Sequence, residues 1–329
     1  MPRIVRFHET GGAEVLKLED APLQEPGEGE VRLKVEAVGL NRAEVMYRQG
    51  QYLENPIPPS RIGYEASGTI DAIGPGVDGF AIGERVSTIP SFSMQNYGVY
   101  GESAVVPAFA VAHYPETLSP MEGTSIWMQY LTAFGALVHF GQLRAGDVVV
   151  ITAASSSVGL AAIQIVKAAG AVSIATTRGP EKKTALLEAG ADHVVVTNEE
   201  SLPERVEAIT AGQGARLIFD PVGGPYLETL AEAAARQGII FEYGALSPEP
   251  TPYPLFTALK KGLTVRAYTL FEIVSDREAL ERGKRYVYDG LASGALRPLI
   301  DRTFPLDAIA DAHRYMESNQ QLGKIVVMV

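Results

Sequence analysis

From residue 148 to residue 268, short apolar runs alternate with amphipathic stretches of helical period, and turn residues divide them. The pattern predicts strands at 148–152, 172–176, 193–196, 216–219, 238–243 and 264–268, with helices at 158–169, 180–189, 202–210 and 225–235. Such alternation calls for parallel pairing through right-handed crossovers, so this half reads as a doubly wound α/β sheet. The first 120 residues follow another rhythm. Val31, Leu33 and Val35 alternate with Arg32, Lys34 and Glu36, and strands are predicted at 30–40, 66–73, 85–89 and 104–107. A β-rich, barrel-like unit is expected there. A helix is expected at 121–139, and the tail adds helices at 276–293 and 306–318 and a strand at 324–329.

Composition acts mainly by exclusion. The 329 residues are 46% hydrophobic and 20% charged, as in an ordinary globular protein. A formal charge of −11 disfavours nucleic acid and anionic membranes as partners. With no cysteine, disulfides and thiolate metal sites are excluded. No apolar run approaches the ~20 residues of a membrane span, and the first residues do not look like a secretory leader. A cytoplasmic protein is therefore expected.

The segment 148–159 carries the main chemical signal. A buried strand turning tightly into a helix aims free backbone N–H groups at one spot, where the helix dipole adds partial positive charge. Such a spot suits a phosphate. A dinucleotide fingerprint has three glycines where this chain has Ala154, Ser156 and Gly159. On the loop alone, an ordinary turn capped by serines stays open. An NAD-specific site would end the second strand with a carboxylate for the ribose 2′-hydroxyl. Here Thr177 is followed by Arg178, Lys182 and Lys183, which would accept a 2′-phosphate. NADPH is the expected cofactor; the plain alternative for these residues is a solvated helix start.

Ordered motifs run through nearly the whole chain. They are Gly39-Leu40-Asn41-Arg42-Ala43-Glu44, Gly63-Tyr64-Glu65-Ala66-Ser67-Gly68 and Val77-Asp78-Gly79-Phe80-Ala81-Ile82-Gly83-Glu84-Arg85-Val86. Further on come Tyr100-Gly101-Glu102-Ser103-Ala104, Tyr130-Leu131-Thr132-Ala133, Phe219-Asp220-Pro221-Val222-Gly223-Gly224 and Gly323-Lys324-Ile325-Val326. Through them the chain resembles the zinc-free quinone oxidoreductase branch of the medium-chain dehydrogenase/reductase superfamily. The resemblance implies a GroES-like catalytic barrel at 1–122, a Rossmann domain at 123–268, and a return to the catalytic domain at 269–329. It also implies an active site in the cleft between the domains. Where zinc-dependent relatives hold their metal with Cys, His and Cys, this chain has Asn41, Tyr64 and Met128, a poor donor set. His8, His113, His139, His193 and His313 show no ligand spacing, and no metal is expected.

Reducing a simple ketone needs strong polarisation of the carbonyl, whereas hydride addition to a conjugated system delocalises charge into an enolate. The expected activity is NADPH-dependent reduction of a quinone or an α,β-unsaturated carbonyl. The resemblance points to Asn41 as an active-site amide that donates to the substrate oxygen or orients the nicotinamide ribose. Tyr52 and Tyr64 are the candidate proton donors. Their plain alternatives are a turn cap and packing aromatics. For the cofactor it implies pyrophosphate contacts from Ser155, Ser156, Ser157 and Val158. Arg178 and Lys182 are expected at the 2′-phosphate, Thr132 behind the nicotinamide, Gly244 beside it, and Lys324 near the phosphates. Glu65 and Asp220 read as structural. A homodimer is expected through an exposed sheet edge at 264–270. Two other readings stay open: an enoyl reductase for polyketide or acyl-thioester substrates, and a non-catalytic NADPH-binding protein.

Overall fold

A computed structural model describes residues 1–329. The chain forms two compact units, Met1–Met128 with Pro298–Val329, and Gln129–Arg297. The return to the first unit thus falls after Arg297, later than the expected 269, because the helix Arg277–Ser293 belongs to the second unit. There Tyr286 packs on Phe134 with ring centroids 5.2 Å apart, and Gly283 fits against Leu131.

The first unit begins with β1 (Arg3–Phe7), β2 (Lys17–Asp20), β3 (Glu30–Gly39) and β4 (Ser60–Arg61). It continues with β5 (Glu65–Ile73), β6 (Arg85–Thr88), β7 (Ser103–Pro107) and β8 (Val111–His113). The second unit holds β9 (Val148–Ile151), β10 (Val172–Thr177), β11 (His193–Val196), β12 (Ala215–Asp220), β13 (Ala234–Glu242) and β14 (Thr264–Ala267). After it the first unit gains β15 (Ile300–Pro305) and β16 (Lys324–Met328).

In the first unit a seven-stranded sheet runs β15-β16-β3-β5-β6-β8, with β7 also on β3, beside a small sheet β2-β1-β4. Strand β3 is its spine, and Val31, Leu33 and Val35 are buried as their alternation predicts. Antiparallel β16 lies against the far end of β3, with Val326 opposite Gly39. The second unit is one parallel sheet, β11-β10-β9-β12-β13-β14, the strand order of a doubly wound dinucleotide fold. Val150, Ile174, Val195, Ile218 and Ile240 are buried with Leu202, Val206, Leu227 and Leu230 in one cluster. Burying each such side chain contributes about 1.5–3 kcal/mol.

Three differences from the sequence pattern have physical causes. The expected helix 121–139 is broken into Pro120–Gly123, Trp127–Ala133 and a wider π-helical turn, Phe134–Phe140. Gly135 sits there against the Tyr268 hydroxyl, which a Cβ would meet at 2.0 Å. The helix Leu255–Lys261 went unread because Leu255, Phe256 and Leu259 are exposed and make no core-facing stripe. Strands β1, β2 and β15 are short and partly polar, so period alone does not mark them. No helix is long and apolar enough to cross a membrane.

Candidate active site

In the first unit the chemistry gathers where β3 ends. Asn41 has extended backbone and opens the helix Arg42–Arg48, and its backbone N–H donates to the Glu44 carboxyl. Glu44 is fully buried. Its Oε1 also accepts from the backbone N–H of Tyr64 and from Asn41 Nδ2, each at 3.1 Å. Burial pushes the Glu44 carboxyl up to about 7, against the pull of the Lys324 charge.

Asn41 is held on both sides. Its Nδ2 faces Glu65 Oε2 at 3.2 Å and Gly39 O at 3.3 Å, while its Oδ1 accepts from Lys324 Nζ at 2.6 Å. An ammonium can only donate and a carboxylate can only accept, so these neighbours admit one orientation of the amide. Lys324 Nζ also donates to Glu65 Oε2 at 2.5 Å, and Glu65 Oε1 accepts from the Met128 N–H at 2.9 Å. Lys324 and Glu65 are each 1% exposed.

Two expectations change here. The Asn41 amide hydrogens are directed at carboxylates and a carbonyl, so the amide is engaged within the protein. Lys324, expected beside cofactor phosphates, is buried in an ion pair. The cause is register: β16 pairs with β3 and turns Lys324 inward over Gly39, where a Cβ would lie 2.8 Å from Lys324 Cε. Glu65 is the structural partner it was read to be. Glu44 had not been singled out, although Asn41-x-x-Glu44 has the spacing of a capping box.

Tyr64 is 1% exposed, and half-buried Tyr52 lies against it. Their rings meet edge-on at 6.4 Å, and Phe92 packs on Tyr64 at 5.7 Å. Desolvation pushes Tyr52 up to about 12 and Tyr64 higher still. At neutral pH both phenols keep their protons and can only give them.

In the second unit β9 runs into a turn in which Ala153 takes a left-handed φ of 44°. Ser156 caps the helix Ser157–Ala168 by accepting from Gly159 N–H at 3.0 Å. A Cβ on Gly159 would come within 2.6 Å of Ala154, so the turn closes only around glycine. Lys182 Nζ reaches Ser155 Oγ at 3.1 Å, which brings a positive charge onto the turn. Ser155, Ser156, Ser157 and Val158 are all partly accessible there. Arg178 is exposed at the end of β10 and makes no ion pair. Thr132 is buried in its helix, and Gly244 is exposed just past β13, packed on Pro221. Partly free N–H groups, a lysine on the turn and an unpaired arginine fit a phosphorylated dinucleotide.

A catalytic zinc does not fit the first unit. The Asn41 oxygen that would bind it already accepts from an ammonium, whose charge would repel the ion. No group of three or more His, Cys, Asp or Glu side chains is placed to hold a metal.

Two family models match the chain, the alcohol dehydrogenase GroES-like domain over residues 27–116 and the zinc-binding dehydrogenase domain over 157–283. That pairing defines a medium-chain dehydrogenase/reductase architecture. A quinone oxidoreductase of Pseudomonas aeruginosa is 30% identical, with all of both chains covered. A 2-haloacrylate reductase of Burkholderia is 28% identical over 98% of this chain and 97% of its own. The structure of Escherichia coli quinone oxidoreductase complexed with NADPH matches with a TM-score of 0.91 and 28% identity, covering 99% of this chain and 100% of that one. The chain belongs to the zinc-independent quinone oxidoreductase branch of the medium-chain dehydrogenase/reductase superfamily, a branch of NAD(P)H-dependent oxidoreductases.

Proposed function

We propose that the protein reduces quinones and related conjugated carbonyl compounds with NADPH. The observation that carries this reading is the pair of neutral phenols, Tyr52 and Tyr64, in a unit whose Asn41 position cannot take a metal. When bound, NADPH supplies hydride. Ser155, Ser156, Ser157 and Val158 would hold its pyrophosphate, Arg178 and Lys182 its 2′-phosphate, and Thr132 and Gly244 would border the nicotinamide. Tyr52, the more accessible phenol, gives the proton, and the Tyr64 ring behind it holds its ring in place. Asn41 acts from within the protein by ordering the segment that carries Tyr64. The 2-haloacrylate reductase relative favours a second acceptor class, activated C=C bonds.

The test is steady-state turnover with a small quinone, an enone and an enoyl thioester, using each reduced nicotinamide in turn. Quinone turnover with NADPH preferred about tenfold or more is expected, and Arg178→Ala with Lys182→Ala should remove most of that preference. Equal efficiency with NADH and NADPH would refute the cofactor assignment; turnover of the thioester alone would move the protein to the enoyl reductases.

A cytoplasmic homodimer completes the reading. Strand β14 ends its sheet with an unpaired edge, and Tyr253, Leu255, Phe256 and Leu259 nearby in sequence are 57%, 52%, 84% and 70% exposed. An open edge beside bare apolar side chains favours pairing with a second copy. A monomeric mass by light scattering at micromolar concentration would count against it.

A further inference from the structure

We propose that Lys324 is a positioning residue for the proton donor, working through Asn41 and Glu44 and not through the cofactor phosphates. Two of its three N–H bonds are spent inside the protein, on Asn41 Oδ1 at 2.6 Å and Glu65 Oε2 at 2.5 Å. At 1% exposure its ammonium has no open side for a phosphate. Fixing Oδ1 sends Asn41 Nδ2 toward Glu44 and Glu65. Glu44 then holds the Tyr64 backbone N–H at 3.1 Å, and the Tyr64 ring packs edge-on against that of Tyr52 with centroids 6.4 Å apart. Hydrogen bonds thus run from Lys324 to the Tyr64 backbone, and ring packing carries the placement on to the phenol assigned as donor. The lysine stem runs close over Gly39, where a Cβ would meet the Thr124 carbonyl at 2.4 Å and Lys324 Cε at 2.8 Å. The inference rests on Tyr52 as proton donor.

A bare lysine deletion would strand Glu65, so the main test is the double variant K324M/E65Q, which removes both charges together. In the folded variant, kcat with a small quinone is expected to fall about tenfold or more while the NADPH dissociation constant stays within about twofold. In K324A, added methylamine is expected to restore part of kcat in a saturable way, which a loss of packing would not allow. An NADPH dissociation constant raised about tenfold would overturn the proposal in favour of phosphate contact. So would an unchanged kcat in the folded double variant, or no response to methylamine. Should the wild type reduce none of the acceptors, the functional reading fails first, and the crystal structure of K324M/E65Q then decides positioning alone. A reoriented Asn41 amide and a displaced Tyr64 ring would uphold it; an undisturbed Asn41–Glu44–Tyr64 arrangement would overturn it.

Discussion

Each unit buries acidic groups, and Glu65 of the first and Glu242 of the second are accommodated in opposite ways. In the first, Glu65 meets the Lys324 ammonium at 2.5 Å, with Asn41 and the Met128 N–H filling its remaining lone pairs. In the second, Asp220 and Glu242 face each other in register across β12 and β13, and no lysine or arginine bonds either one. Asp220 accepts from Thr152 Oγ1 and from Gly223 N–H at 2.7 Å. Glu242 has no comparable donors, so a retained proton is what neutralises it. Burial first, and the Asp220 charge second, push its carboxyl up to about 9. An ion pair fails when one partner goes. A proton-sharing pair tolerates a neutral substitute but responds to pH.

The largest expected effect tests that asymmetry directly. Glu65→Gln leaves Lys324 buried without its counter-charge and should cost about 3–5 kcal/mol of stability. Glu242→Gln keeps an N–H donor toward Asp220 and should change stability near neutral pH by about 1 kcal/mol or less. Urea unfolding of the two variants side by side measures both. Equal losses would break the comparison, since they would mean that Glu242 also carries charge at neutral pH.

A smaller effect follows from linkage. Both Glu44 and Glu242 bind a proton more tightly folded than unfolded, where a glutamate titrates near ~4.3. Their contribution is complete below that value and is lost as pH rises through the folded one. For Glu44 the loss ends near pH 7, because Lys324 opposes the effect of burial; for Glu242 it continues to about pH 9. Each raised group adds a slope of at most ~1.4 kcal/mol per pH unit within its window. Glu242→Gln should therefore flatten the stability curve between about pH 7 and 9, whereas Glu44→Gln should act only below about 7. Denaturation midpoints across that range would show it, and an unaltered decline in Glu242→Gln would remove the proton from that residue.

How much of this could be read beforehand depended on distance along the chain. The strands of the parallel sheet and the serine turn were legible because period and turn chemistry are local. So was the scarcity of metal donors, since Asn41, Tyr64 and Met128 are read one by one. The fixing of Asn41 was not legible: it needs Lys324, 283 residues away, and depends on β16 lying in one register against β3. Glu242 reads as a polar residue ending a strand, and only its pairing opposite Asp220 makes it a proton holder. The exposed helix Leu255–Lys261 escaped for the converse reason, since its apolar residues point away from any core of this chain.

The finest test asks what sets the proton affinity of the pair, since burial raises both Asp220 and Glu242. Thr152 Oγ1 and the Gly223 N–H both donate to Asp220, and these donors oppose the effect of burial by favouring the charged form on that side of the pair. Thr152→Val keeps the shape of the side chain and deletes one of these donors, at an expected cost of about 1–3 kcal/mol. Its more telling consequence is in the titration. The doubly ionised pair loses a donor that favoured it, so the last proton is held more tightly, and the pH at which stability declines should move above that of the wild type. A Thr152→Val curve that superimposes on the wild type would mean that burial alone sets the proton affinity of the pair. The two units would then differ only in whether a lysine happens to be at hand.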